Sequence, residues 1–437
     1  MNIIKRSILI FLILICSNGL YAQNIKVLTL NEAISLALSN NTDLITARYE
    51  KAKAQKKVSQ IYNENLIPNL SFSSQYMRSF KKQVFEIFGQ KYEIGTDNSI
   101  LNTINVQQAI PFLGAPVFSG IRIAEYVAEL QNEIISSLES KTKKDVKKAF
   151  YDVLLLKEII NVNELSLKNA VDNLNVVEAR YRNGVTTEFD YLRAKVKVDN
   201  IEPALVQLNN NLSVAKLALK TTIGLKDQSD IDVTGKLEVD SSELYKDIES
   251  IISKITEKNV AIRQLNLNKS INKELVSVNN ANFLPKLYVF GQYQLNATEN
   301  DGRDFTKYRY YSVVNAGVGL SWDLNILRNS NVVEQSEIDV KKVDEQIIDV
   351  KSKLRLQAKS ILLRMEDAQK RIKAQSETVK LAERGSEIAQ ISYKNGVLNQ
   401  IDVLDAELSL NQSRLAYLQA IYDYIIARSE LEEILEI

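Results

Sequence analysis

The 437-residue chain contains no histidine and only one cysteine, Cys16. Histidine is the commonest side-chain base and metal ligand, so its absence excludes a Ser-His-Asp triad, a Cys-His pair and a His-ligated zinc site within this chain. There are 55 lysines and arginines against 54 aspartates and glutamates, and this balance gives no electrostatic reason to expect nucleic acid as a partner. Composition argues against most enzymes. We expect no catalytic residue, no metal site and no cofactor.

The first 22 residues have the pattern of a secretion signal. Lys5 and Arg6 precede an apolar run at 8–15 that is too short to cross a bilayer as a helix, and Ala22 provides a small residue for cleavage. We favour cleavage after Ala22 over lipidation of Cys16, because the residue before Cys16 is isoleucine and not the small residue that a lipidation signal needs. Cleavage removes the only cysteine, so an exported chain depends on packing or assembly instead of disulfides.

Two stretches of the chain match in sequence and spacing. Tyr181-Arg-Asn-Gly-Val is followed by Asp190-x-Leu-x-Ala, and Tyr393-Lys-Asn-Gly-Val is followed by Asp402-x-Leu-x-Ala. Each stretch lies between two long segments of helical pattern, so we expect a helix to enter, turn tightly at Asn-Gly and return. Such a repeat indicates that the chain is built twice. We name residues 181–194 the first tip and residues 393–406 the second tip.

The repeat predicts a division of the chain into a signal peptide at 1–22, a first repeat at 23–224, a connector at 225–242 and a second repeat at 243–437. Each repeat has the order helix, strand, strand, long helix, tip and return helix. No glycine or proline occurs between 121 and 182, so the first long helix extends roughly 90 Å at 1.5 Å per residue.

Four segments alternate apolar with small polar residues at a period of two, which is typical of strands. These predicted strands lie at about 68–80 and 100–111 in the first repeat, and at about 285–296 and 311–324 in the second. We interpret the segment between the first two strands, which contains Gly89 and Gly95, as a polar loop.

Each predicted strand is close to the roughly 9–11 residues that cross a bilayer when tilted. Four strands cannot close on themselves, and open edges are not tolerated in lipid, so several chains must share one barrel. We therefore predict a mainly α fold with membrane β-strands, in which long antiparallel helical hairpins accompany four strands of a trimeric, twelve-stranded β-barrel. The alternative is a soluble antiparallel sheet with one buried face. We favour it less, because the sequence offers no obvious second layer to cover that sheet.

The mature chain resembles the TolC family of outer-membrane efflux and secretion channels over essentially its whole length. The resemblance is carried by both tips and by the first predicted strand of each repeat, which begins at Pro68 or Pro285. It is also carried by the opening segment Leu28-Thr-Leu-Asn-Glu-Ala-Ile-Ser-Leu-Ala-Leu38 and the segment Val318-Gly-Leu-Ser-Trp322. It implies a homotrimer in outer-membrane lipid, with a helical tunnel in the periplasm that docks onto an adaptor (membrane fusion) protein and an inner-membrane transporter. The implied function is the passive exit duct of a tripartite efflux or type I secretion system.

Two alternatives to a small-molecule duct stay open. A duct for secreted polypeptides belongs to the same class, and the sequence does not separate the two. A periplasmic coiled-coil adaptor or structural protein without a membrane barrel is a different class. An adaptor should carry one hairpin flanked by β-rich domains, whereas this chain carries two complete repeats.

The resemblance also assigns a gate. Asp402 and Asp405 match the acidic ring at the family's periplasmic constriction, and their spacing places both on one helix face. In a trimer, six carboxylates would then favour cations over anions. Tyr393 and Asp190 match a pair that hydrogen-bonds between neighbouring coiled coils and keeps the tunnel closed. Without the family match, solvated surface acids and a tyrosine that caps its own turn would be the ordinary interpretations.

The turns themselves are the adaptor-docking surface that the resemblance implies, with Gly184, Val185, Gly396 and Val397 as its residues. Glycine also permits the positive φ of a tight turn, which by itself is a sufficient reason for both glycines. This chain departs from the family at Leu398 and Phe189, where some members have an arginine and its partner. An apolar contact at these two positions is the alternative to a link between that arginine and its partner.

Overall fold

The computed structural model describes residues 26–111, 116–226, 230–239 and 248–436. The predicted signal peptide at 1–22, with Cys16, lies outside these residues. Contacts divide the chain into two compact units. The first unit contains described residues within 26–46, 136–259 and 353–436, and the second contains those within 47–135 and 260–352.

Helices account for most of the described residues. They are α1 (Leu30–Asn40), α2 (Thr42–Leu66), α3 (Val117–Arg182), α4 (Glu188–Thr222), α5 (Ile248–Lys258), α6 (Val260–Asn280), α7 (Ile326–Lys394) and α8 (Gln400–Leu435). The two longest, α3 and α7, have 66 and 69 residues, which confirms the two long helices predicted before the tips. Among the described helices, none combines the length and apolar character needed to cross a membrane.

Two segments predicted as single helices are each divided by an asparagine. Asn41 separates α1 from α2, and its side-chain oxygen accepts a hydrogen bond from the amide of Asp43 at 2.9 Å. Asn259 separates α5 from α6, and its side-chain amide donates to the carbonyl of Ile434 at 2.9 Å. The local bond of Asn41 offers the chain an alternative to continuing the helix, whereas the bond of Asn259 joins its break to the end of α8.

The first unit has its main core around a short parallel pair of strands, β1 (Lys26–Leu28) and β6 (Ile231–Val233). Thr29 is the N-cap of α1, where Thr29 and Glu32 form a capping box in which the Thr29 amide donates to the Glu32 carboxylate at 2.8 Å. The buried side chains of this core come from β1, α1, α3, α4 and β6: Leu28, Ala33, Ala37, Val146, Phe150, Val153, Leu219, Ile223, Ile231 and Val233.

The second unit contains a four-stranded antiparallel sheet in the order β2-β5-β7-β8. Its strands are β2 (Asn69–Arg78), β5 (Asn98–Ala109), β7 (Lys286–Glu299) and β8 (Tyr310–Ser321), so all four predicted strands are confirmed to within a few residues. Only β2 and β8 lie at edges, and neither edge is paired within the described chain. The sheet is therefore open on both sides.

The predicted polar loop between the first two strands is wrong in part. It contains two further strands, β3 (Gln83–Ile87) and β4 (Gln90–Ile94), which pair with each other as a separate antiparallel hairpin. We name residues 83–94 the outer hairpin. The predicted connector at 225–242 likewise contains β6, which the local sequence pattern did not reveal.

Candidate functional site: the hairpin tips

The first tip is a tight turn between α3 and α4. The amide of Gly184 donates to the carbonyl of Tyr181 at 2.9 Å, and the amide of Val185 donates to the carbonyl of Arg180 at 2.9 Å. Gly184 has a φ of +70°, the left-handed conformation that glycine adopts most easily after a helix. Thr187 then caps α4 by accepting a hydrogen bond from the amide of Asp190 at 3.2 Å.

The second tip repeats this turn between α7 and α8. The amide of Gly396 donates to the carbonyl of Tyr393 at 3.0 Å, the amide of Val397 donates to the carbonyl of Ser392 at 2.9 Å, and Gly396 has a φ of +77°. The Asn399 amide donates to the Asp402 carboxylate at 2.9 Å at the start of α8. The predicted helix–turn–helix geometry is confirmed at both tips.

The two tips pack against each other through a small apolar cluster. Its buried side chains come from all four helices: Val177, Ala194, Ala389, Tyr393 and Val403. Leu398 packs against this cluster, whereas Phe189 is 62% exposed and its ring lies under the guanidinium of Arg193 at 4.5 Å. Leu398 thus contributes an apolar contact to the tip cluster.

Tyr393 is only 5% exposed, yet its hydroxyl has no hydrogen-bond partner within the described part of the chain. The guanidinium of Arg180 lies over its ring, 4.6 Å from the centroid. A buried hydroxyl without a partner costs free energy, and most such groups find one. The chain itself encloses this hydroxyl, and Tyr393 lines the cavity described below.

Asp190 is half-buried and already bonded within its own tip. Its carboxylate accepts hydrogen bonds from the hydroxyls of Thr187 at 2.8 Å and Thr186 at 2.9 Å. These bonds, with that of Thr187 the strongest, lower the pKa of Asp190 and keep it charged. The structure contains no hydrogen bond between Tyr393 and Asp190 of the same chain, so their predicted pairing between neighbouring copies stays a prediction.

The two acids of the predicted ring have different surroundings. Asp402 is half-buried and accepts the Asn399 amide, so it also stabilises the start of α8. Asp405 is exposed and has no hydrogen bond or ion pair within the described residues. Among the described residues Asp405 is therefore unbonded, while Asp402 has a structural role at the start of α8.

A polar cavity of about 260 Å³ lies beside the second tip, between α3, α7 and α8. It is lined by Asn169, Asp172, Asn173, Val176, Gln390, Tyr393, Lys394, Val403 and Glu407. Glu407 is only 4% exposed and accepts a hydrogen bond from the side-chain amide of Gln390 at 3.3 Å. Burial raises the pKa of Glu407, which opposes its ionisation.

Glu407 was not among the site residues predicted from the sequence. The signal was present, because Glu407 lies between Val403 and Leu410 at helical spacing, and both of these are buried residues of α8. A carboxylate on an otherwise apolar stripe is costly to bury, so its position indicated either a partner or a cavity.

A family model described as "Outer membrane efflux protein" matches residues 33–225 and 251–435. The chain is 23% identical over 415 residues to the cobalt-zinc-cadmium resistance protein CzcC of Cupriavidus metallidurans, covering 93% of this chain and 90% of that one. Its fold matches the crystal structure of VceC from Vibrio cholerae with a TM-score of 0.75 and 17% identity, covering 93% of this chain and 96% of VceC.

A second structural neighbour is the open state of the MtrE channel of Neisseria gonorrhoeae. It has a TM-score of 0.74 and 18% identity, over 93% of this chain and 88% of MtrE. The family match covers far more than half of the chain, and both tips lie within it. The chain therefore belongs to the outer membrane efflux protein family, the TolC-like channels.

Proposed function

We propose that three copies of this chain form an exit duct that passes substrates, without doing chemistry, from an adaptor and an inner-membrane transporter to the cell exterior. The observation that supports this most is the open sheet of the second unit. Its edge strands β2 and β8 have no partner in the chain, and an unpaired edge is very unfavourable in lipid. Pairing β8 of each copy with β2 of the next would close three sheets into a twelve-stranded barrel.

The tips would form the periplasmic gate of this duct. Asp405 and Asp402 of three copies would line its narrow end with six carboxylates, which favour cations. The Tyr393 hydroxyl has no partner among the described residues and Asp190 is charged, so a bond between them in neighbouring copies would satisfy the hydroxyl once a rearrangement of the tip exposes it. Breaking this bond in all copies would release the hairpins from one another.

The experiment that tests the lock is the conductance of single channels in planar bilayers. Replacing Tyr393→Phe together with Asp190→Ala should raise the conductance, because the bond between copies is lost. Tyr181→Phe is the matched control, since Tyr181 occupies the corresponding position of the first tip and its ring stacks on Tyr191 instead. Unchanged conductance in the double variant would count against the lock.

The same preparation separates the duct from the alternative of a periplasmic adaptor. A duct should fractionate with the outer membrane, migrate as a heat-resistant trimer on a gel and conduct ions in a bilayer. An adaptor without a barrel would do none of these.

The turns would also be the docking surface for the adaptor. Val185 and Val397 are 68% and 75% exposed, so each tip presents an apolar side chain to solvent next to a glycine. A cysteine at either valine should crosslink to the cognate adaptor in cells. Leu381→Cys is the control, because Leu381 is 74% exposed but lies three turns before the second tip on α7. Crosslinks from Leu381 alone, or from none of the three positions, would contradict docking at the tips.

A further inference from the structure

The outer hairpin, residues 83–94, is a two-stranded sheet that shares no strand with the main sheet. Phe88 and Gly89 form its turn with φ of +53° and +77°. Two successive positive φ values are typical of the two-residue turns whose twist matches that of the flanking strands. The hairpin is thus a defined element between β2 and β5, where the sequence pattern had predicted a loop.

The two faces of the outer hairpin differ sharply. Its register pairs Phe85 with Tyr92 and Val84 with Glu93, and side chains alternate between faces along each strand. One face carries the apolar side chains Phe85, Ile87, Tyr92 and Ile94, with the uncharged Gln83 and Gln90 at its two ends. The opposite face carries Val84, Glu86, Lys91 and Glu93. Each of these four apolar residues is between 43% and 54% exposed, so the described chain leaves about half of each side chain uncovered.

The base of the outer hairpin is held firmly by the main sheet. The amide of Ser79 donates to the carbonyl of Asp97 at 2.8 Å, and Lys82 forms an ion pair with Asp97 at 3.0 Å. The Asp97 carboxylate also accepts the amide of Asp301, from the connection between β7 and β8, at 2.9 Å. The hairpin therefore has a fixed origin at the end of β2 and β5, even though its apolar face is half exposed.

An exposed apolar face on an isolated hairpin needs a cover. Two strands alone are marginally stable in water and require packing against something else. Acyl chains are an unsuitable cover, because β2 and β5 have 10 and 12 residues and already span the hydrocarbon layer, which takes roughly 9–11 residues per strand. The hairpin follows beyond them, at the end of the strands opposite α2 and α3, and so lies outside the cell.

We propose that the outer hairpins of neighbouring copies pack against one another through their apolar faces, forming a constriction over the external mouth of the duct. This inference rests on the trimer proposed above. Because β2 is an edge strand and leads directly into the hairpin, a ring closed through β2 and β8 places every hairpin at the same level. The apolar face carries no charge, so it can meet a second copy of itself while Glu86, Lys91 and Glu93 stay hydrated on the other face.

The duct would then have two narrow points of different chemistry. The periplasmic one depends on carboxylates and a hydrogen bond, and the external one depends on apolar contact. Salt screens the interactions between exposed charges, whereas it does not screen an apolar contact. A substrate would part the outer hairpins as it leaves.

Cysteine crosslinking on intact cells tests the proposal with two adjacent residues. The residues to be replaced, Phe85 and Val84, are 43% and 45% exposed but lie on opposite faces. Phe85→Cys and Val84→Cys are each made in a Cys16→Ser background, which contains no other cysteine. With a short, membrane-impermeant bismaleimide, Phe85→Cys should give crosslinked copies and Val84→Cys should not. Labelling with a monofunctional maleimide confirms that both cysteines are accessible.

The trimer is assayed first in each variant as a heat-resistant species on a gel, so that failure of assembly is separate from failure of the hairpin contact. If no trimer forms in the unsubstituted protein, the proposed function fails. If trimers form and Phe85→Cys gives no crosslinked copies, or if both positions crosslink equally, the hairpin contact is overturned. Quenching of a fluorophore at Phe85→Cys by a lipid-phase nitroxide, or its crosslinking to a different protein, would overturn it as well.

Discussion

The guanidinium of Arg180 lies over the ring of Tyr393, 4.6 Å from its centroid, and so connects the last turn of α3 with the last turn of α7. The same guanidinium donates a hydrogen bond to the carbonyl of Lys394 at 3.4 Å. One side chain from the first repeat thereby holds both the ring and the backbone of the second tip. The two tips of one chain are linked before any neighbouring copy is considered.

Arg180→Ala should loosen this link between the tips. A cation–π contact contributes about 0.5–2 kcal/mol, depending on how far it is desolvated. We expect faster hydrogen–deuterium exchange in peptides from both tips and a higher channel conductance. Arg182→Ala is the control, because that arginine bonds Glu178 of its own helix at 2.6 Å. If both variants behave alike, the contact with Tyr393 is not what holds the tips together.

Asp405→Asn should lower the preference of the channel for cations. It removes three of six carboxylates from the proposed ring while leaving the Asp402 carboxylate on the Asn399 amide, so the start of α8 is undisturbed. Reversal potentials in a potassium chloride gradient measure the change. Asp199→Asn removes an exposed acid of α4 outside the tip and should leave the reversal potential as it was. An equal shift in both variants would mean that overall charge, and not a ring, sets the selectivity.

Glu407→Gln should stabilise the protein at neutral pH. Burial raises the folded-state pKa of Glu407, so the folded state favours the neutral carboxyl. The stability that the folded state gains from the neutral carboxyl is fully present below the ordinary glutamate pKa of about 4.3. It is lost as the pH rises through the raised pKa of the folded state. Glutamine stays neutral and can still accept the Gln390 amide.

The measurement is the melting temperature of the detergent-solubilised protein at pH 4 and pH 8. The gain from Glu407→Gln should be clear at pH 8 and small at pH 4. Glu337→Gln replaces an exposed acid of α7 and provides the control. A gain of the same size at both pH values would show that the ionisation of Glu407 has no part in it.

Features with a strong local pattern were predictable from the sequence. Asn-Gly flanked by helical periodicity defines each tip, and ten or more alternating residues define each strand of the main sheet. The parallel pair of β1 with β6 was not predictable, because each strand has three residues and its partner lies about two hundred positions away. Local periodicity does not indicate which distant segments pair.

The outer hairpin and the packing around Tyr393 were not predictable for a different reason. Gly89 correctly indicated a turn, but five-residue strands with glutamines and charges are too short and too polar for a secure prediction. The unpartnered hydroxyl of Tyr393 and the contact with Arg180 depend on the packing of two hairpins, which the sequence of neither hairpin specifies. The repeat placed both tips correctly, and tertiary packing determined which groups were left without partners.

Gly224 and Gly184 have similar backbone conformations but differ in how much space surrounds them. Both have a positive φ, of +72° and +70°. A Cβ at Gly224 would lie 2.7 Å from the carbonyl oxygen of Asn40, the last residue of α1, whereas a Cβ at Gly184 would meet nothing within 4 Å. Alanine in the left-handed region costs roughly 1–2 kcal/mol at either position. At Gly224 the collision with a backbone atom is added, and that atom belongs to a helix whose face is buried in the main core.

We therefore expect Gly224→Ala to lower the melting temperature clearly more than Gly184→Ala. A larger effect at Gly184 would mean that the turn of the first tip tolerates less strain than its open surroundings indicate. Adaptor crosslinking from Val397→Cys in the Gly184→Ala background then tests what Gly184 does. If docking requires only the correct turn at each tip, crosslinking at the second tip should persist, because Gly396 and its hydrogen bonds are unchanged. Loss of this crosslinking would indicate that the adaptor binds both turns together, so that distortion of one tip weakens docking at the other.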